Sequence, residues 1–193
     1  MAEYPNWFAN TTAIDNFAQY LAHYKDKPNL RFLQIGAYTG DASVWLCENV
    51  LTDKSSVLVD VDTWAGSANE SVHMRMDWED VYATYKAKTK AYENIHPIHS
   101  TSADFFKHQP ADSYDFIYID GDHIAKAVYE DALGAWVLLK PNGILAFDDY
   151  TWTDETNDPA MAPQQGINKF LNEYAGEHTL LIMGGQVWIR KNA

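Results

Sequence analysis

The chain has 193 residues, 47% of them hydrophobic, and carries 14 basic against 27 acidic side chains for a formal net charge of -13; these are the proportions of one globular domain with a proper core. The acidic balance excludes a large footprint on a nucleic-acid backbone, which needs clustered Lys and Arg. No apolar run is long enough to span a bilayer and M-A-E-Y-P-N-W-F is no leader segment, so the chain reads as cytoplasmic, with no membrane or nucleic-acid partner.

Residues 6–21, N-W-F-A-N-T-T-A-I-D-N-F-A-Q-Y-L, predict a helix capped by Asn10 or Thr11 that lies across a sheet or its mouth. Apolar runs of strand length follow at 30–35, 56–61, 95–99, 114–119 and 143–147. Helix-like spacing fills the intervals at 41–51, 77–90 and 125–139; in the first, Ala42, Trp45, Leu46 and Val50 fall roughly on one face. The single Cys47 sits in the apolar V-W-L-C of that helix, which excludes an intrachain disulfide and a multi-cysteine zinc site and points to a buried thiol.

Strand, helix and strand in succession mean a parallel sheet with helices on both faces. At the end, 179–183 and 186–190 flank a G-G pair and read as a hairpin. The expected fold is α/β, Rossmann-like and doubly wound: a mostly parallel seven-stranded sheet closed by a C-terminal antiparallel hairpin. No repeat or linker divides the chain, so a single domain is expected, with an N-terminal helical cap (1–29), a cofactor-binding core (30–150), a lid-like loop (151–166) and a final helix and hairpin (167–193).

Ligands of open α/β sheets bind outside the carboxyl ends of the strands, and the first strand-to-helix turn is the usual cradle. Here it is Q-I-G-A-Y-T-G-D-A-S, with Gly36 and Gly40 free to turn sharply. Tyr38 occupies the place of the second glycine in a dinucleotide fingerprint, which disfavours pyrophosphate and suits a smaller cofactor without phosphates. A ribose at this turn would meet a carboxylate at the end of the second strand, where V-L-V-D-V-D-T-W offers Asp60 and Asp62, with Trp64 able to cover an apolar face. Ser102 and Ala103, beyond the third strand, would line an adenine pocket.

Asp120 ends the fourth strand, and Asp148 and Asp149 end the fifth. If those strands are neighbours the three carboxylates converge, and like charges so placed raise one another's pKa until a cation relieves them. Hard oxygen donors suit Mg2+, Ca2+ or Mn2+ better than zinc. His123 would reach a substrate held there and serve as general base, with Asp122 as an alternative base or an orienting group.

These residues together resemble the class I S-adenosylmethionine-dependent methyltransferases. The similarity is greatest to the small-molecule O-methyltransferase branch that carries I-D-G-D-H and D-D-Y in this order, related to the macrocin-type and catechol O-methyltransferases. It runs through F-L-Q-I-G-A-Y-T-G (32–40), D-T-W (62–64), Y-I-D-G-D-H-I-A-K-A-V (118–128) and L-K-P-N-G-I-L-A-F-D-D-Y (139–150), and extends to G-I-N-K-F-L-N-E-Y (166–174). The resemblance implies that Gly36, Ala37, Tyr38, Gly40 and Ser43 surround the methionine part of S-adenosylmethionine. It further implies that Asp62, or else Asp60, binds the ribose near Trp64, and that Ser102 and Ala103 sit by the adenine. Asp120, beside the cofactor, would hold a divalent cation with Asp148 and Asp149, Mg2+ first among the choices. His123 stands at the position of a lysine base. Two other departures are Gln34, where an acid is common before the first glycine, and Asn142, where P-G-G is usual; Asn tolerates the turn conformation needed there.

The implied reaction is methyl transfer to a hydroxyl of a small-molecule acceptor, with the metal lowering the hydroxyl pKa and His123 taking the proton. A sugar, a polyol or a phenol would each suit such a site, with 151–166 as lid and Trp7, Phe8 and Trp152 as walls. The alternatives are a metal-dependent hydroxylase-like enzyme on the same scaffold and a non-catalytic S-adenosylmethionine-binding protein. The 14% aromatic content leaves room for a homo-oligomeric interface.

Overall fold

Apolar runs that are buried on both faces become strands, and the amphipathic segments between them become covering helices. The computed structural model describes residues 3–67, 72–154 and 156–193. Met1 and Ala2 of the predicted cap and Glu155 of the predicted lid lie outside them. The strands are β1 (Arg31–Ile35), β2 (Val57–Asp62), β3 (Ile95–His99), β4 (Tyr114–Ile119), β5 (Leu139–Phe147), β6 (His178–Met183) and β7 (Val187–Lys191). The helices are α1 (Ala13–Tyr20), α2 (Asp41–Asn49), α3 (Trp78–Thr89), α4 (Ser102–Phe106), α5 (Ala125–Leu138) and α6 (Pro163–Glu173). One seven-stranded sheet has the order β3-β2-β1-β4-β5-β7-β6, the expected mostly parallel sheet with its antiparallel hairpin. No helix among the described residues is long and apolar enough to cross a membrane.

The chain forms two compact units, Met1–Ser100 and Thr101–Ala193. In the first, β2 pairs in parallel with both β1 and β3, and Phe32, Leu33, Leu46, Leu58, Val61, Val81 and Tyr85 make a closed core. The N-terminal helix starts later than expected, at Ala13; Thr12 precedes it without a side-chain cap bond, and the Thr11 hydroxyl accepts from the Ala13 amide at 3.2 Å. The cause is local. The Asn6 side chain accepts from the Ala9 amide at 2.8 Å, and the Asn10 amide returns to the Asn6 and Trp7 carbonyls at 3.2 Å, so residues 6–10 close a turn of their own. Phe17 of α1 packs edge-on against Trp45 of α2, ring centroids 5.9 Å apart.

In the second unit β4 and β5 are parallel, and β7 lies antiparallel between β5 and β6. The fifth strand is longer than the apolar run suggested because K-P-N-G bulges within it: the register jumps from Tyr114↔Leu139 to Phe116↔Ile144. Asn142 takes φ 65°, the turn conformation asparagine tolerates. Helix α4 was not foreseen. It is one short turn and a half, capped by Thr101, whose hydroxyl accepts from the Asp104 amide at 3.1 Å. Helix α6 meets α5 at Gly166, where a Cβ would fall 2.1 Å from the Ala125 carbonyl oxygen.

Candidate active site

The turn after β1 is held from within. Asp62, the last residue of β2, accepts through Oδ2 from the amides of Ala37 at 2.7 Å and Tyr38 at 2.9 Å, and through Oδ1 from the amide of Trp64 at 2.7 Å. The Trp64 indole N–H donates to the Tyr38 carbonyl at 3.0 Å. Tyr38 and Trp64 both have positive φ, 47° and 42°, a backbone state that costs bulky residues on the order of 1–3 kcal/mol each and persists where surroundings enforce it. Asp62 and the indole bond supply that enforcement. Amides directed at Asp62 are not available to cradle a phosphate, in keeping with the cofactor type read from Tyr38.

Gln34, 2% exposed, donates to the Gly36 carbonyl at 2.8 Å and accepts from the Ser43 hydroxyl at 3.4 Å, tying the turn to α2. The rival ribose acid, Asp60, is wholly buried: its Oδ2 accepts from the Tyr85 hydroxyl at 2.7 Å, and it points into the core beneath the turn. Trp64 is 4% exposed, and its indole packs inward against Tyr82 and Tyr85, centroids 4.4 and 4.8 Å away, with the His99 ring edge-on at 5.5 Å. On the outer side of the turn, Trp7 stacks on Tyr38 at 4.6 Å. Phe8 instead joins Phe17 and Trp45. Burial pushes the Tyr38 phenol up to about 12, so it is a neutral donor at ordinary pH.

In the second unit the carboxylates gather at the ends of β4 and β5, as their pairing requires. Asp120, His123 and Asp149 each offer a ligand atom, all within 4.8 Å of one another. His123 Nε2 lies 2.8 Å from Asp149 Oδ2, and the imidazole rests against the Trp152 ring at 4.4 Å. Asp149 itself has φ 56°. Asp148 faces elsewhere: it accepts from the Tyr118 hydroxyl, from Gln186 Nε2 at 3.2 Å and from the Asp149 amide at 2.9 Å. Burial, then the charges of Asp148 and Asp149, hold Asp120 well above the usual carboxylate range. Burial and Asp149 push Asp148 up to about 6. Two carboxylates so close are oxygen donors that a divalent cation would satisfy, at the same time relieving the like-charge conflict, with the imidazole beside them.

Asp122 accepts from the Ile124 amide at 2.9 Å and so turns the chain into α5. Ser102 and Ala103 stand on the first turn of α4, not at a strand end. The Ser102 hydroxyl is committed to the buried Asp131, while Ala103 is exposed. Burial raises Asp131 to about 6. Cys47 is buried, as expected, and burial lifts its thiol to about 12. Sequence reasoning missed Tyr85, Tyr118, Gln186 and Asp131, all of which hold site residues in place. An aromatic or amide inside an apolar pattern carries no mark of the polar partner it will meet.

Comparison with known proteins supplies the family. The model of a family described as "Methyltransferase domain" matches residues 33–150. A search of curated protein sequences found no match. Similar solved structures include a provisionally named rRNA methylase from Clostridium thermocellum, with TM-score 0.69 and 11% identity over 93% of this chain and 96% of that one. A provisionally named O-methyltransferase from Klebsiella pneumoniae has TM-score 0.64 and 18% identity over 96% and 81%. A provisionally named caffeoyl-CoA O-methyltransferase from Staphylococcus aureus has TM-score 0.64 and 16% identity over 95% and 84%. At such identities the likeness is one of fold. The family match, over more than half the length, goes further: this chain belongs to the methyltransferase domain family.

Proposed function

We propose that the protein transfers the methyl group of S-adenosylmethionine to a hydroxyl of a small-molecule acceptor with the help of a divalent cation. The observation that carries this reading is the grouping of Asp120, His123 and Asp149, a cation site and a base in one place on a methyltransferase scaffold. Two of the similar structures bear O-methyltransferase names, which supports the same choice of acceptor atom. The sulfonium of S-adenosylmethionine supplies an already activated methyl, and a cation such as Mg2+ at Asp120 and Asp149 supplies a Lewis acid that lowers a hydroxyl pKa.

The chain's own residues do the rest. Gly36, Ala37, Tyr38, Gly40 and Ser43 hold the methionine part, and Asp62 the ribose. Asp62 already accepts three amides, so a ribose hydroxyl takes its remaining acceptor capacity without unmaking the turn. Asp149 orients the His123 imidazole at 2.8 Å and Trp152 limits its rotation. His123 would take the acceptor proton at Nε2, the ring nitrogen on the Asp149 side, since Nδ1 is buried.

Titration calorimetry of the native protein with S-adenosylmethionine, with and without Mg2+, tests the two halves separately. Micromolar-range binding is expected for a cofactor of this kind. No binding would refute methyl transfer and leave a hydroxylase-like enzyme as the rival. Cofactor binding with a cation dependence that survives Asp149→Ala would refute the cation site, and cofactor binding without transfer to any of a panel of sugars, polyols and phenols would favour a binding protein.

A further inference from the structure

We propose that Tyr85 and Asp60 are positioning residues for the cofactor turn: the Asp60 carboxylate fixes the Tyr85 ring, and that ring sets the height of Gly40 and of the Trp64 indole. The inference rests on the reading of the 36–40 turn as the cofactor cradle, and its geometry lies wholly in the first unit. Gly40 has φ +82°, and a Cβ there would fall 3.0 Å from one Tyr85 ring carbon and 3.3 Å from another. With the Thr89 methyl, also 3.0 Å from that point, the ring is the floor on which the second glycine rests. The ring also meets Trp64, centroid 4.8 Å away, whose N–H holds the Tyr38 carbonyl. One ring thus supports the turn directly at Gly40 and indirectly at Tyr38.

Packing alone would be served by phenylalanine, since Tyr85 is 0% exposed. The hydroxyl has a single visible use, the 2.7 Å bond to Asp60 Oδ2. Asp60 in turn is 0% exposed, flanked in the sheet by Gln34 and Pro97, and its Oδ1 has no hydrogen-bond partner among the described residues. The Ser43 hydroxyl nearby is directed to Gln34. An apolar pair of the same shape would be easier to bury. What the acid and phenol add is direction: a hydrogen bond to a fixed acceptor sets the rotation of a ring that would otherwise be free to tilt beneath a glycine.

The test compares Tyr85→Phe, Asp60→Leu, Asp60→Asn and, as a control on the same helix, the core truncation Val81→Ala. Calorimetry with S-adenosylmethionine is expected to show binding about tenfold weaker in Tyr85→Phe and Asp60→Leu, the scale of one lost buried hydrogen bond. Asp60→Asn keeps an acceptor for the phenol and is expected to recover most of that affinity. Val81→Ala, though less stable, is expected to bind within about twofold of native, since it removes apolar packing on the same helix but leaves the bond from the Tyr85 hydroxyl to Asp60 in place. Equal weakening in Tyr85→Phe and Val81→Ala, or native affinity in Tyr85→Phe, would overturn the proposal. Amide hydrogen exchange without cofactor gives a second reading. Ala37 and Tyr38 should exchange faster in Tyr85→Phe, relative to strands β1 and β2, and unchanged protection would also overturn it. If the native protein binds no cofactor, the proposed function fails while exchange still decides the positioning.

Discussion

Asp60→Asn separates the cost of the buried acid from the use made of it. Burial lifts the Asp60 carboxyl from its ordinary 3.8 to about 6, eased only in part by the Tyr85 hydroxyl. At about 1.4 kcal/mol per pH unit, ionising this group inside the fold costs about 3 kcal/mol of stability. The sign follows from a folded pKa above the unfolded one. Below 3.8 the acid is neutral in both states and nothing is lost; as the pH rises through about 6 the full cost is reached. Asparagine has no charge to bury and keeps a carbonyl for the Tyr85 hydroxyl. Urea unfolding of native protein and variant from about pH 4 to about pH 7 should therefore show the variant gaining on the native protein by about 3 kcal/mol across that window. Asp131 and Asp148 also rise to about 6, so neither curve alone identifies Asp60; the difference between them does. A difference that stays flat from one end of the window to the other would refute the burial argument.

Gly166→Ala drives a methyl to within 2.1 Å of the Ala125 carbonyl oxygen, and thermal unfolding should show α6 pushed off α5 at a cost of about 1–3 kcal/mol. Ser102→Ala strips the buried Asp131 of its hydroxyl donor; a loss of about 1–3 kcal/mol near neutral pH is expected. That loss should largely disappear when Asp131→Asn is added, and its persistence would mean that the pair is not coupled. Calorimetry with Mg2+ or Mn2+ should show binding abolished in Asp149→Ala and far less affected in Asp148→Asn, whose oxygens are already engaged by Tyr118, Gln186 and the Asp149 amide. The reverse order would place the cation on the other aspartate.

What could be read in advance was whatever follows from period and punctuation. Strand β4 was legible to the residue because Y-D-F-I-Y-I is bounded by polar segments, and the hairpin because G-G separates two short apolar runs. Helix α4 was invisible because five residues are too few to show a period. β5 began early because K-P-N-G reads as a turn, and only the pairing with β4 shows that the chain re-enters the sheet on both sides of it. The two acids of D-V-D illustrate the deeper limit. Residues two apart in a strand point to the same face, so alternation could not say whether Asp60 or Asp62 meets a ligand. What separates them is that the strand ends at Asp62, where three amides of the turn reach it, while one pleat earlier Asp60 lies beneath α3 with a phenol for its partner. A side chain's role at such a position is decided by where the covering helix stops, and that is a property of the packed molecule. The same reasoning divides Asp148 from Asp149: adjacent residues face opposite ways, and the positive φ of Asp149 turns its carboxylate to His123 while Asp148 is drawn to Tyr118.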